Sequence, residues 1–374
     1  MGVQRIQETA TASYGKSVEA AAVGSSNAAG SGGTAGSSTA QTVENITTPW
    51  KTDTKNSTDT RNSMSARTDK DEEQETLIGA GNNTQIRKAV EEINKKAHNS
   101  EAIFGIHDAT NRVMIKIVDK DTKEVIILQT SDVHSRIEPV NQKGDEYYNK
   151  GGFLRRAVFL EQFRKEHKNV LLFDCGDISQ GTPYYNMFRG EVEVKLMNEM
   201  GYDAMTIGNH EFDFDVDNME RIFKMANFPV VCANYNLDAT VLKDIVKPYV
   251  VLEKYGLRIG VFGLGTQPEG MIQANKCEGV VYEDPVRVSN EIAALLKDEE
   301  GCDLVVCLSH LGIQMDEHLV AGTRNIDVIL GGHSHTFMKG PKIYLNMDGK
   351  EVPVMHTGKN GVRVGRLDLT LKHK

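Results

Sequence analysis

The stretch Thr206-Ile207-Gly208-Asn209-His210-Glu211-Phe212-Asp213 follows directly on Ala204 and Met205, and its last five residues hold an amide, an imidazole and two carboxylates. The apolar residues Ala204, Met205 and Ile207 read as a buried strand, and Gly208 lets the backbone turn where the strand ends. Polar groups at that point sit at the strand's carboxyl end, where open α/β sheets place their ligands. Four more segments repeat the design. Asp132-Val133-His134 follows the apolar run 125–128, and Gly176-Asp177 follows 170–173. Ser309-His310 follows 304–308, and Gly331-Gly332-His333-Ser334-His335 follows 328–330.

Outward from these motifs, alternating strands and helices predict βαβ units with a mostly parallel sheet. A helix is expected over 153–167, with Leu154, Ala157, Val158, Leu160 and Phe163 as its apolar side, and another over 192–200. The runs 342–345, 352–356 and 363–371 lack intervening helices and read as antiparallel. The expected fold of residues 125–374 is therefore α/β with α+β elements: a two-sheet β-sandwich flanked by helices. Upstream, residues 1–80 are rich in Ser, Thr, Ala, Gly and Asn and cannot bury enough apolar surface to offset chain entropy, so a disordered tail is expected. Residues 81–124 read as a small helix-plus-hairpin module. Ile86, Ala89, Val90, Ile93 and Ala97 recur at helical spacing, and strand-like runs 103–106 and 113–118 flank the turn Asp108-Ala109-Thr110-Asn111.

The chain has 374 residues, 39% hydrophobic and 25% charged, which fits a globular protein with room for two or three domains. A net charge of −9, from 43 basic against 52 acidic residues, argues against general affinity for nucleic acid or anionic membrane. The five cysteines are odd in number and form no CxxC pair, so neither a disulfide framework nor a zinc knuckle is expected. No run approaches the ~18 apolar residues of a membrane span, and no apolar core of a secretory signal is visible. As written, the chain reads as cytoplasmic.

The five clusters together offer Asp132, His134, Asp177, Asn209, His310, His333 and His335. Oxygen and imidazole donors without thiolates suit Zn, Mn, Fe or similar divalent ions. Seven ligands are too many for one ion that keeps open positions, and fit two ions sharing a bridging carboxylate. Singly, each residue has a plainer role: a hydrogen-bonded structural histidine, a helix-capping Asp132 or Asp177, a turn asparagine at 209. Jointly, five strand ends would each need an unrelated reason for a ligand-type side chain.

In this order the motifs DxH, GD, GNH[ED], H and GHxH resemble the calcineurin-like metallophosphoesterase superfamily. Gly208-Asn209-His210-Glu211-Phe212-Asp213 and Gly332-His333-Ser334-His335-Thr336-Phe337 resemble its 5′-nucleotidase branch. The resemblance implies that Asp132, His134 and His335 hold one metal ion, that Asn209, His310 and His333 hold a second, and that Asp177 bridges them. It further implies that His210, oriented by Asp213, stabilises the transition state and assists the leaving oxygen, while Glu211 supports the surrounding shell. The branch often has Gln or Asn where this chain has His335. Gly176-Asp177-Ile178-Ser179-Gln180-Gly181-Thr182 lacks the Asp-Arg of the superfamily's serine/threonine phosphatases. Gln180 replaces the tyrosine of purple acid phosphatases. Arg155, Arg156 and Asn234, near the motifs, are either phosphate contacts or solvated and turn residues.

The implied activity is dinuclear metal-dependent hydrolysis of phosphomonoesters, foremost nucleoside 5′-monophosphates, by direct attack of a metal-bridging hydroxide. Hydrolysis of 2′,3′-cyclic nucleotides or other phosphoesters at the same centre is the alternative. Full-length 5′-nucleotidases of this kind add a second domain that clamps the base. Lys374 comes just after the metal domain's closing strands, so base recognition would come from a separate C-terminal nucleotidase-type domain on another chain, or simpler esters are the substrates. Such relatives are usually periplasmic or extracellular. The upstream residues 86–94 and 113–126 resemble the flagellar protein FlaG, which implies a fusion. A third reading follows from it: a FlaG-like flagellar accessory or interaction protein with an incidental C-terminal domain.

Overall fold

The computed structural model describes residues 100–107, 112–119 and 122–372. The expected tail, the helix through Ile86 and Ala97, and the turn 108–111 lie outside the described residues. Strands β1 (Ser100–His107) and β2 (Arg112–Asp119) pair as a two-stranded sheet of their own. In chain order there follow β3 (Thr122–Thr130), β4 (Val170–Asp174), β5 (Ala204–Thr206), β6 (Val230–Val231), β7 (Tyr235–Asn236) and β8 (Val246–Lys247). Next come β9 (Tyr249–Lys254), β10 (Leu257–Leu264), β11 (Val281–Tyr282) and β12 (Leu304–Ser309). The last are β13 (Val328–Gly331), β14 (Lys342–Leu345), β15 (Glu351–His356) and β16 (Gly365–Lys372).

Two six-stranded sheets organise residues 122–372. The first has the order β16-β3-β4-β5-β6-β8, all parallel except β16, which runs antiparallel to β3. The second has the order β14-β15-β13-β12-β10-β9, with a parallel interior and antiparallel edges at β14 and β9. One expectation needs correcting here. β15 is antiparallel to β14, as its hairpin connection requires, but its other neighbour is β13, to which it runs parallel. β3 starts at Thr122 and crosses residue 125 without a break.

Strand side chains alternate between faces, and the alternation builds three apolar layers. Val125, Ile127, Leu171 and Phe173 of the first sheet meet Ile259, Val261, Val306 and Leu330 of the second between the sheets. The opposite faces carry Leu128, Leu172 and Met205 toward helices Phe153–Glu166 and Glu191–Met200, and Phe262, Val305 and Cys307 toward helices Pro285–Ala294 and Ile313–Gly322. The result is a helix–sheet–sheet–helix sandwich. Among the described residues, no helix is long and apolar enough to cross a membrane.

Helix Phe153–Glu166 turns Ala157, Leu160 and Phe163 inward as expected, but the buried face is rotated away from Leu154 and Val158. Phe153, Arg156, Leu160 and Phe163 are buried, whereas Leu154 and Val158 are exposed. Arg156 lies inside with its guanidinium 4.4 Å from the Phe153 ring centroid and its Nη1 3.5 Å from the Tyr202 hydroxyl, while Nε and Nη2 have no hydrogen-bond partner among the described residues.

Candidate metal centre

The carboxyl ends of β3, β4, β5, β12 and β13 come together where the two sheets meet. Polar bonds latch the sheets at this edge. Gln129 Nε2 donates to the Gly331 carbonyl at 2.8 Å, and the His333 backbone N–H donates to Asp132 Oδ1 at 2.9 Å. His310 Nδ1 donates to the Cys175 carbonyl at 2.6 Å. The latch brings side chains from far apart in the sequence into three overlapping groups. Asp132, His134 and His335 form one, Asp177, His310 and His333 another, and His134, Asp177 and His210 a third. Within each group the donor atoms lie within 4.8 Å of one another. Asn209 adjoins the second group, its Oδ1 being 3.0 Å from His333 Nδ1.

The backbone is bent unusually to do this. Asp132, His134, Asp177, His333 and His335 all have positive φ, between 50° and 71°. Such conformations cost about 1–3 kcal/mol each and persist where the surroundings over-determine them, typically at functional sites. Gly208 shows how tight the turn is: a Cβ there would stand 2.2 Å from Asp177 Oδ1. Buried Glu211 anchors the loops by accepting from the backbone N–H groups of Asp177, Ser179 and Gly208 at 2.9, 3.2 and 2.6 Å. In the 3₁₀ turn His210–Asp213, residues i and i+3 lie one above the other, so Asp213 faces His210. Its two carboxylate oxygens are each 3.2 Å from His210 Nδ1.

The electrostatics fit a cation site. Burial pushes His134 and His333 down to about 4, leaving both imidazoles neutral at pH 7 with lone pairs to donate. Burial holds Asp132 up at about 7, helped by the like charge of Asp177 and opposed by His310. For His310 burial works downward, but the neighbouring Asp177 carboxylate outweighs it and lifts the ring to about 10. Asp132 Oδ2 is buried without a hydrogen-bond partner among the described residues, a costly arrangement unless something else completes it, and buried His310 Nε2 has only the Asp177 carboxylate, 3.1 Å away. Divalent cations would satisfy both atoms, and the oxygen and imidazole donors match the ions expected.

A pH dependence follows. Because the raised groups hold protons in the metal-free protein near neutrality, loading must displace them, so affinity rises with pH. Titrating Mn²⁺ or Zn²⁺ into metal-free protein should show weaker binding at pH 6 than at pH 8. The heat should also differ between buffers of unlike ionisation enthalpy. Equal affinity and buffer-independent heats would contradict this.

The secondary candidates lie elsewhere. Asn234 is buried, its Nδ2 donating to the Gly265 carbonyl and its Oδ1 accepting from the Gly265 N–H, both at 2.8 Å. Arg156 is the inward-facing residue described above and is not a surface cation. Arg155 donates to the backbone and side-chain oxygens of Asn149. Lys359 went unremarked in the sequence, yet its charge acts on His335, whose ring is lowered first by burial and then by this lysine. Asn360 explains its approach, donating its N–H to the Asp132 carbonyl at 2.7 Å.

Residues 126–337 match the family model of the calcineurin-like phosphoesterases, and the chain belongs to that family. Residues 51–127 match the model of the FlaG protein, beginning upstream of the module expected at 81 and ending inside β3. Human 5′-nucleotidase is 33% identical over 267 residues, covering 66% of this chain and 46% of its own length. Snake venom 5′-nucleotidase of Crotalus adamanteus is 31% identical over 277 residues, covering 67% and 46%. The solved 5′-nucleotidase precursor of Thermus thermophilus superposes with a TM-score of 0.62 at 33% identity, covering 66% of this chain and 51% of that one. This chain thus spans about half the length of the curated relatives it matches.

Proposed function

We propose that residues 122–372 form a dinuclear metal-dependent phosphohydrolase that cleaves phosphomonoesters, with nucleoside 5′-monophosphates as the leading substrates. The observation that carries this reading is the position of Asp177, common to the group containing His310 and His333 and to one containing His134. Asp132, His134 and His335 would hold one ion, Asn209, His310 and His333 the other, and Asp177 both. When bound, the two cations supply Lewis-acid activation of water and neutralise the phosphoryl oxygens. His210 donates to the phosphoryl or leaving oxygen as negative charge grows there, with Asp213 fixing its tautomer through Nδ1. Attack is direct, with no phosphorylated residue.

The 5′-nucleotidase names of the relatives support the nucleotide preference. The FlaG match supports a second, non-catalytic part of the chain. A panel of AMP, 2′,3′-cyclic AMP and 4-nitrophenyl phosphate, assayed with Mn²⁺ or Zn²⁺, tests the reading. Turnover of AMP and the aryl ester well above the cyclic substrate is expected. Preference for the cyclic nucleotide would replace this reading with the phosphodiester one.

A further inference from the structure

Beneath the second ligand group lies a buried polar trio that the chemistry above leaves unused. Ser309, Asp316 and His356 are 0, 0 and 2% exposed. Ser309 Oγ donates to Asp316 Oδ1, and His356 Nε2 donates to Asp316 Oδ2 at 2.7 Å. Ser309 Oγ also accepts from the Leu311 N–H at 3.2 Å. Each member comes from a different element: Ser309 ends β12, His356 ends β15, and Asp316 lies on helix Ile313–Gly322.

The strand between β12 and β15 is β13, whose last residue, Gly331, is in register with Ser309 on one side and His356 on the other. A Cβ on Gly331 would stand 2.1 Å from His356 Nε2 and 2.3 Å from Asp316 Oδ2, so the pair occupies the space a side chain would take. Asp316 therefore reaches across the end of β13 and ties its two neighbours together. This tie lies one residue before His310 and two before His333. A buried carboxylate–imidazole pair gains little stability over an apolar pair of the same volume, so its value here is positional.

We propose that Asp316, with Ser309 and His356, is a positioning device that fixes the β12–β13–β15 edge so that His310 and His333 converge on one ion. The proposal rests on the two-ion reading above. Groups that orient metal ligands from behind typically change metal affinity or activity by about 10–100-fold when removed.

The test is Mn²⁺ titration of metal-free full-length protein by calorimetry, with metal content by mass spectrometry and folding by circular dichroism. Wild type should bind two ions. Asp316→Asn should bind one of them about 10–100-fold more weakly and leave the other near its wild-type affinity. His356→Gln keeps an N–H donor toward Asp316 and should retain most of that affinity, whereas His356→Leu should lose it. Ser309→Ala, a milder change, should weaken the same ion to a smaller degree and decides the matter if Asp316→Asn does not fold. Wild-type affinity for both ions in folded Asp316→Asn, or in Ser309→Ala where the former is unfolded, would reduce the trio to a core contact. Fewer than two ions in the wild type would instead overturn the dinuclear reading on which this one stands.

Discussion

Asp177→Asn is expected to lower phosphatase kcat/KM by roughly a thousandfold, the scale of losing a principal electrostatic element of an active site. The side chain is 1% exposed, so it is judged entirely by its neighbours. Its Oδ1 accepts from the His210 N–H at 2.8 Å and its Oδ2 lies 3.1 Å from His310 Nε2. Asparagine keeps the volume and one acceptor oxygen toward His210, and removes the charge. What is lost is the anion common to both ligand groups, so metal content should fall below two per chain as turnover collapses. An aryl phosphate assay paired with mass-spectrometric metal counts reads both. Wild-type turnover, or two tightly held ions in the variant, would refute the bridging role.

The second large effect is expected at His210 and has the opposite metal signature. His210→Asn should lower kcat by roughly 10²–10⁴-fold, the usual worth of a positioned acid or base, with two ions still bound. The imidazole is held above its ordinary range chiefly by its hydrogen bond to Asp213, with burial opposing. A raised pKa means that the proton stays on to higher pH. The wild-type rate should therefore fall on the alkaline side of the usual imidazole range, and this limb should vanish in the variant. Loss of metal in His210→Asn would move the residue into the ligand set.

The convergence of these side chains was legible in the sequence because each candidate ligand follows an apolar run that reads as a buried strand, and Gly176, Gly208 and Gly332 mark where those strands break. The rotation of the helix face was not. Leu154 and Val158 look like core residues in a one-dimensional pattern, and nothing there announces that Arg156 turns inward. Its neighbours there are the Phe153 ring and the Tyr202 hydroxyl, the latter from a distant segment. Helices Val216–Phe223 and Pro285–Ala294 did carry signals that went unread. Asp215 and Asp284 accept from the backbone N–H groups of Asn218 and Arg287, and Pro285 opens the second helix. The Asp316 trio carried none, since an aspartate inside a helix and a histidine ending a strand look ordinary until β13 is found between them.

The pairing of β16 with β3 governs when this molecule can be completed. The register runs from Gly365 opposite Gln129 to Lys372 opposite Thr122, so β3 becomes an interior strand only when residues 365–372 arrive. During synthesis the segment leading to Asp132 and His134 must wait on the ribosome with one flank open, a template for unwanted pairing. Closure by so distant a partner also slows folding. The β3 edge therefore stays open to such pairing until residues 365–372 have been added.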